Sequence, residues 1–89
     1  MIKTNISISN KLGLHARASA KLTKLAGGFQ CEVFMTRNSR RVNAKSIMGV
    51  MMLAAGLGAE VEIETSGPDE QAAMDALRKL VDDKFGEAE

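Results

Sequence analysis

The chain holds one histidine, His15, in the run Asn10-Lys11-Leu12-Gly13-Leu14-His15-Ala16-Arg17-Ala18-Ser19. A strand-like alternation stops just before it and a helix-like spacing starts just after it. An imidazole at a strand-to-helix turn is held by backbone on both sides. The unpaired N–H groups of the helix's first turn point toward whatever group it carries. Arg17, two residues on, adds a planar and permanently charged fork that matches phosphate oxygens. Together these features suit a histidine that carries a phosphoryl group. Ser46 stands as an N-cap before the apolar run Ile47-Met48-Gly49-Val50-Met51-Met52-Leu53.

Other chemistries fit less well. With one His and one Cys the chain has too few soft ligands for a zinc site, so no metal is expected. Cys31 falls in the alternation Phe29, Cys31, Val33, Met35 against Gln30, Glu32, Phe34, Thr36, which makes it a small buried hydrophobe rather than a nucleophile paired with His15.

These residues must be positioned by a small scaffold. Eighty-nine residues suffice for one domain, residues 1–89, burying somewhat over 60% of the unfolded chain's surface. A single cysteine excludes an internal disulfide, and Met1-Ile2-Lys3-Thr4 does not open a secretion signal, so a cytoplasmic location is expected. The most apolar stretch, Ile47 to Leu57, falls short of the about 20 residues a bilayer span requires, so no membrane association is expected. Twelve basic against eleven acidic residues give a formal charge of +1, and Trp and Tyr are absent, which argues against nucleic acid. The local basic cluster Arg37-Asn38-Ser39-Arg40-Arg41 contains turn residues and reads as a hairpin tip.

Ile2, Thr4, Ile6 and Ile8 alternate with polar residues and predict a first strand. Ala18, Leu22, Leu25 and Ala26 recur at helical spacing, and Gly27-Gly28 is expected to supply a left-handed stop. Phe29 to Thr36 and Arg40 to Ala44 read as a hairpin. A short helix follows Ser46, with Gly56 and Gly58 expected to end it. Ala59, Val61, Ile63 and Thr65 form the inner side of the next strand, and Glu60, Glu62 and Glu64 an outer acidic one. Ser66-Gly67-Pro68-Asp69 turns and caps a last helix whose inner stripe is Ala73, Met74, Ala76, Leu77, Leu80 and Val81. Strand, helix, strand, strand, helix, strand, helix is the order of an α+β two-layer open-faced sandwich, its helices on one face of an antiparallel sheet.

Over nearly its whole length the chain resembles the HPr family, the histidine-containing phosphocarriers of the bacterial phosphoenolpyruvate-dependent sugar phosphotransferase system. The resemblance is sharpest at Gly13-Leu14-His15-Ala16-Arg17 and at Asn43-Ala44-Lys45-Ser46-Ile47-Met48-Gly49-Val50-Met51. It implies a four-stranded antiparallel sheet of order 1-4-2-3 and phosphorylation of His15 on Nδ1 by enzyme I. It further implies transfer to enzyme IIA proteins and regulatory phosphorylation of Ser46 by HPr kinase/phosphorylase. Many members have proline where this chain has Ala18; alanine is a good helix former, so a small loss of rigidity is the expected consequence.

Such a protein would be a substrate of two enzymes rather than an enzyme, and would need no cofactor. Its partner-binding face is expected to comprise Ala16, Ala20, Lys24, Lys45, Ile47, Met48 and Met51. On a helix of about two turns the last three cannot all face inward, and flexible thioethers suit a surface that meets several partners. A carrier using one face should be a monomer when alone. Two other functions stay open: the nitrogen-related branch of the phosphotransferase system, with a regulatory output, and a binding module whose histidine is never phosphorylated.

Overall fold

A computed structural model describes residues 1–89. The elements are β1 (Ile2–Ser7), α1 (Ala16–Gly27), β2 (Glu32–Arg37), β3 (Arg40–Asn43), α2 (Ile47–Met52), β4 (Glu60–Ser66) and α3 (Glu70–Asp82), followed by a short turn at Lys84–Gly86. The strands form one sheet of order β1-β4-β2-β3, antiparallel throughout. Ile6 faces Val61 and Met35 faces Ile63, so the apolar sets lie on one side of the pleat. The helices lay Ala18, Leu22 and Ala26 (α1), Val50 (α2), and Ala73, Met74, Leu77 and Val81 (α3) onto that side. The result is one core cluster of 20 buried residues, in which each fully buried aliphatic side chain contributes about 1.5–3 kcal/mol. No helix is long and apolar enough to cross a membrane.

Several boundaries differ from the sequence reading, one because a distant carboxylate captures the backbone and the others through local turn geometry. β2 starts at Glu32 rather than Phe29. The N–H groups of Gln30 and Cys31 donate to the Asp69 carboxylate, both at 2.8 Å, instead of joining a strand ladder. Asp69 therefore stands at the N-cap position of α3 without capping it through its side chain; Glu70 instead accepts from the Gly67 N–H at 3.1 Å. Helix α1 ends without a left-handed residue, since Gly28 keeps right-handed angles and its N–H bonds back to Leu25 at 3.1 Å. Helix α2 ends at Met52, before either expected glycine, and Ala54 just beyond its cap takes a left-handed φ of 51°.

The outer face of β4 is not uniformly acidic surface. Glu64 is only 7% exposed, covered by Arg41 at 3.1 Å and Lys3 at 3.9 Å. Arg41 also lies over the Phe34 ring, 3.7 Å from its centroid. Arg37 and Arg40 donate to the carbonyls of Leu53 and Met52 at the end of α2. The basic hairpin tip, turning through Asn38 and Ser39 at positive φ, is thus engaged within the fold.

Candidate functional site

His15 is the N-cap residue of α1, with extended backbone angles, and its carbonyl accepts the Ser19 N–H at 2.9 Å. The residue before it is fastened on every side. Leu14 is buried, its N–H donates to the Ala55 carbonyl at 2.8 Å, and its carbonyl accepts the buried Ser19 hydroxyl at 3.0 Å. Gly13 permits this arrangement. Its φ is +66°, and a Cβ there would sit 2.4 Å from the Ala55 carbonyl oxygen. The imidazole therefore leaves a rigid turn at the positive end of a helix whose first turn holds no acidic residue.

The ring is less open than a simple surface histidine: its side chain is 27% exposed because the C-terminal segment covers it. Nε2 lies 2.6 Å from Oε2 of Glu87, and Oε1 of Glu87 accepts from Asn10 Nδ2 at 3.1 Å. The Asn10 hydrogen bond, then that of His15, holds the Glu87 carboxyl below its ordinary range. Asn10 is fully buried and also donates to the Gly13 carbonyl at 2.8 Å, tying loop to tail. Phe85, fully buried, anchors the tail, and Lys21 donates to its carbonyl at 2.6 Å. Lys84, Phe85 and Gly86 all have positive φ, a sharp reversal that carries Glu87 back over His15. Left-handed angles at two non-glycine residues cost roughly 1–2 kcal/mol each, and burial of Phe85 offsets much of that.

His15, Arg17 and Glu87 line one cleft of about 420 Å³, together with Lys11, Leu12 and Glu89. Lys11 closes its far side through an ion pair to Glu89 at 3.5 Å. Arg17 is exposed and makes no ion pair within the fold, so its guanidinium is available to an incoming anion. The structure thus brings His15 and Arg17 together as their spacing suggested and adds Asn10 and Glu87, which sequence reading missed. No local period marks residues 72 and 77 positions apart.

Ser46 takes the N-cap role expected of it, its Oγ accepting the Gly49 N–H at 3.2 Å. Beyond it Ile47, Met48 and Met51 are 40%, 67% and 39% exposed, while Val50 and Leu53 fill the core. The short helix is therefore apolar on its exposed face as well as its buried one, and Met52 and Leu12 add further exposed apolar side chains. Ala16 and Ala20 lie exposed on α1, and α1 packs against α2. The two lysines are placed differently from a simple rim. Lys45 donates to the Phe29 carbonyl at 2.8 Å, and Lys24 lines a separate groove of about 540 Å³ with Lys21, Leu25, Phe29 and Leu80. Cys31 is a buried thiol whose pKa is raised, first by burial and then by Asp69, as suits an inert core residue.

This histidine at a helix N-terminus, on an open-faced sandwich, defines a phosphoryl-carrier type of site, and comparison with known proteins names the family. A family model described as the PTS HPr component phosphorylation site matches residues 2–83. Phosphocarrier protein HPr of Cupriavidus necator is 65% identical over 89 residues, spanning all of both chains. Among solved structures, an HPr from Thermoanaerobacter tengcongensis superposes with a TM-score of 0.96 at 40% identity, covering all of both chains. An HPr dimer from the same organism gives a TM-score of 0.79 at 41% identity, covering 98% of this chain and all of that one. The chain belongs to the HPr family, the phosphocarriers of the phosphotransferase system.

Proposed function

We propose that His15 accepts a phosphoryl group on Nδ1 from phosphorylated enzyme I and passes it to enzyme IIA proteins, in the cytoplasm and as a monomer. The observation that carries this reading is the shared cleft. His15 stands at the positive end of α1 with its Nε2 engaged by Glu87, and an unpaired Arg17 guanidinium opens onto the same space. Transfer between two histidines is mostly positioning and charge neutralisation, and each part has a residue here. Helix N–H groups and Arg17 receive the phosphoryl oxygens. The exposed Ile47, Met48 and Met51, with Ala16 and Ala20, supply a surface that adapts to several partners, and the exposed Lys24 and Lys45, which lie to its side around Phe29, meet acidic groups of a partner that extends past it. Ser46, exposed at the edge of this surface, is the regulatory site for HPr kinase/phosphorylase.

The test is incubation with phosphoenolpyruvate and enzyme I. Wild type acquires acid-labile phosphate, and His15→Ala acquires none while remaining folded, since a turn side chain outside the core cluster contributes little to it. Equal labelling of both proteins would sink the proposal. Transfer from the labelled protein to sugar-specific rather than nitrogen-related enzyme IIA distinguishes a transport role from a regulatory one. Size-exclusion chromatography reads the oligomeric state.

A further inference from the structure

We infer that Glu87 is a positioning residue for phosphoryl transfer, holding His15 as the Nε2–H tautomer so that Nδ1 alone presents a lone pair. The inference rests on His15 being the acceptor and goes beyond it by assigning a role to the C-terminal segment. A carboxylate can only accept, so at 2.6 Å the proton between Glu87 and the ring belongs to Nε2. Glu87 is itself fixed by the buried Asn10 amide, whose two contacts, to the Gly13 carbonyl and to Glu87, are both acceptors and so define its NH₂ end. Asn10 thereby couples the loop that positions His15 to the tail that orients its ring. The buried Phe85 and the Lys11 N–H, which donates to the Glu89 carbonyl at 2.9 Å, hold the rest of the tail in place.

The step balances without a proton transfer. As the phosphorus–nitrogen bond of the donor phosphohistidine breaks, its electron pair stays on the donor ring. The lone pair of Nδ1 forms the new bond. Nε2 keeps its proton, and the positive charge that develops on the imidazole faces Glu87. On onward transfer the pair returns to Nδ1, and the neutral Nε2–H ring is restored. Glu87 and the phosphoryl group sit at opposite nitrogens of the ring, and Arg17 in the same cleft offsets the negative charge of the latter.

The experiment compares wild type, Glu87→Ala and Glu87→Asp, labelled with ¹⁵N in the imidazole, under mildly alkaline conditions. Wild type shows one pyrrole-type nitrogen at Nε2 and one pyridine-type nitrogen at Nδ1. In Glu87→Ala the two resonances move toward each other as both tautomers populate. The kcat of phosphoryl uptake from enzyme I falls roughly tenfold with little change in KM, as expected for a charge-assisted hydrogen bond that strengthens in the transition state. Glu87→Asp restores part of both signals. Unchanged ¹⁵N shifts, or an unchanged kcat, in Glu87→Ala would overturn the assignment. A wild-type protein that takes up no phosphate would instead overturn the carrier reading on which it rests.

Discussion

Replacing Gly13 tests how the turn before His15 is held, because two separable costs meet there. The first is conformational: at φ +66° an alanine sits in the left-handed region and loses about 1–2 kcal/mol. The second is steric. The new Cβ would lie 2.4 Å from the Ala55 oxygen and 2.6 Å from the Gly56 Cα, both backbone atoms that cannot rotate away. Relieving the first contact needs a separation greater by roughly 0.9 Å, since carbon and oxygen normally approach no closer than about 3.3 Å. That movement breaks the 2.8 Å bond from Leu14 N–H to the Ala55 carbonyl, at about 1–3 kcal/mol for buried groups left unpaired. Gly13→Ala should therefore cost about 2–5 kcal/mol, read as a lower urea midpoint at constant slope. Phosphoryl uptake should also fall, because Leu14 carries His15 with it. Asparagine tolerates left-handed angles, so it separates the two costs. Gly13→Asn should remain well below wild type. At Gly58, with φ +85° and open space where a Cβ would go, Gly58→Ala should cost about 1–2 kcal/mol and Gly58→Asn little. A Gly13→Asn protein within about 0.5 kcal/mol of wild type would show that only the dihedral angle matters and that the close approach to Ala55 does not fix the site.

Three further outcomes follow from the same geometry. Arg17→Lys keeps the charge but loses the planar fork, so transfer should slow, and Arg17→Glu should slow it far more; equal rates for wild type and Arg17→Glu would remove Arg17 from the site. Ser46→Asp retains a capping oxygen and adds one negative charge, so the melting temperature should hold or rise while affinity for an acidic partner falls. That loss should shrink with added salt, because exposed charges are screened over about 10 Å at 0.1 M ionic strength; a salt-independent loss would indicate disturbed packing. The Gln30 N–H, and then that of Cys31, holds the Asp69 carboxyl below its ordinary value of 3.8. Stabilisation from Asp69 is thus present above the unfolded value and lost as pH falls through the lower folded one. Asp69→Asn should flatten the acid limb of the stability curve below that value, and a curve parallel to wild type would mean the N–H contacts carry no such linkage.

What could be read along the chain was what short-range periodicity encodes. Alternation in Ile2–Ile8 and Ala59–Thr65 and the helical recurrence of Ala18, Leu22 and Ala26 give the elements and their inward faces, because side-chain direction repeats every two residues in a strand and every 3.6 in a helix. Ser46 announced itself as a cap because capping is a contact three residues long. His15 and Arg17 were legible for the same reason, lying within one turn at a boundary between two periods. Two departures from the sequence reading are set from across the fold: Asp69 takes the N–H groups of Gln30 and Cys31 and delays β2, and Glu64 of β4 is buried because Arg41 and Lys3 arrive from β3 and β1. The chemistry of the site divides the same way. A histidine able to accept phosphate is a local property, but which of its nitrogens is free depends on Glu87, brought back from 72 residues away by a buried phenylalanine and held by a buried asparagine. No pattern near His15 encodes that pairing, because only the packed core determines where the end of the chain comes to rest.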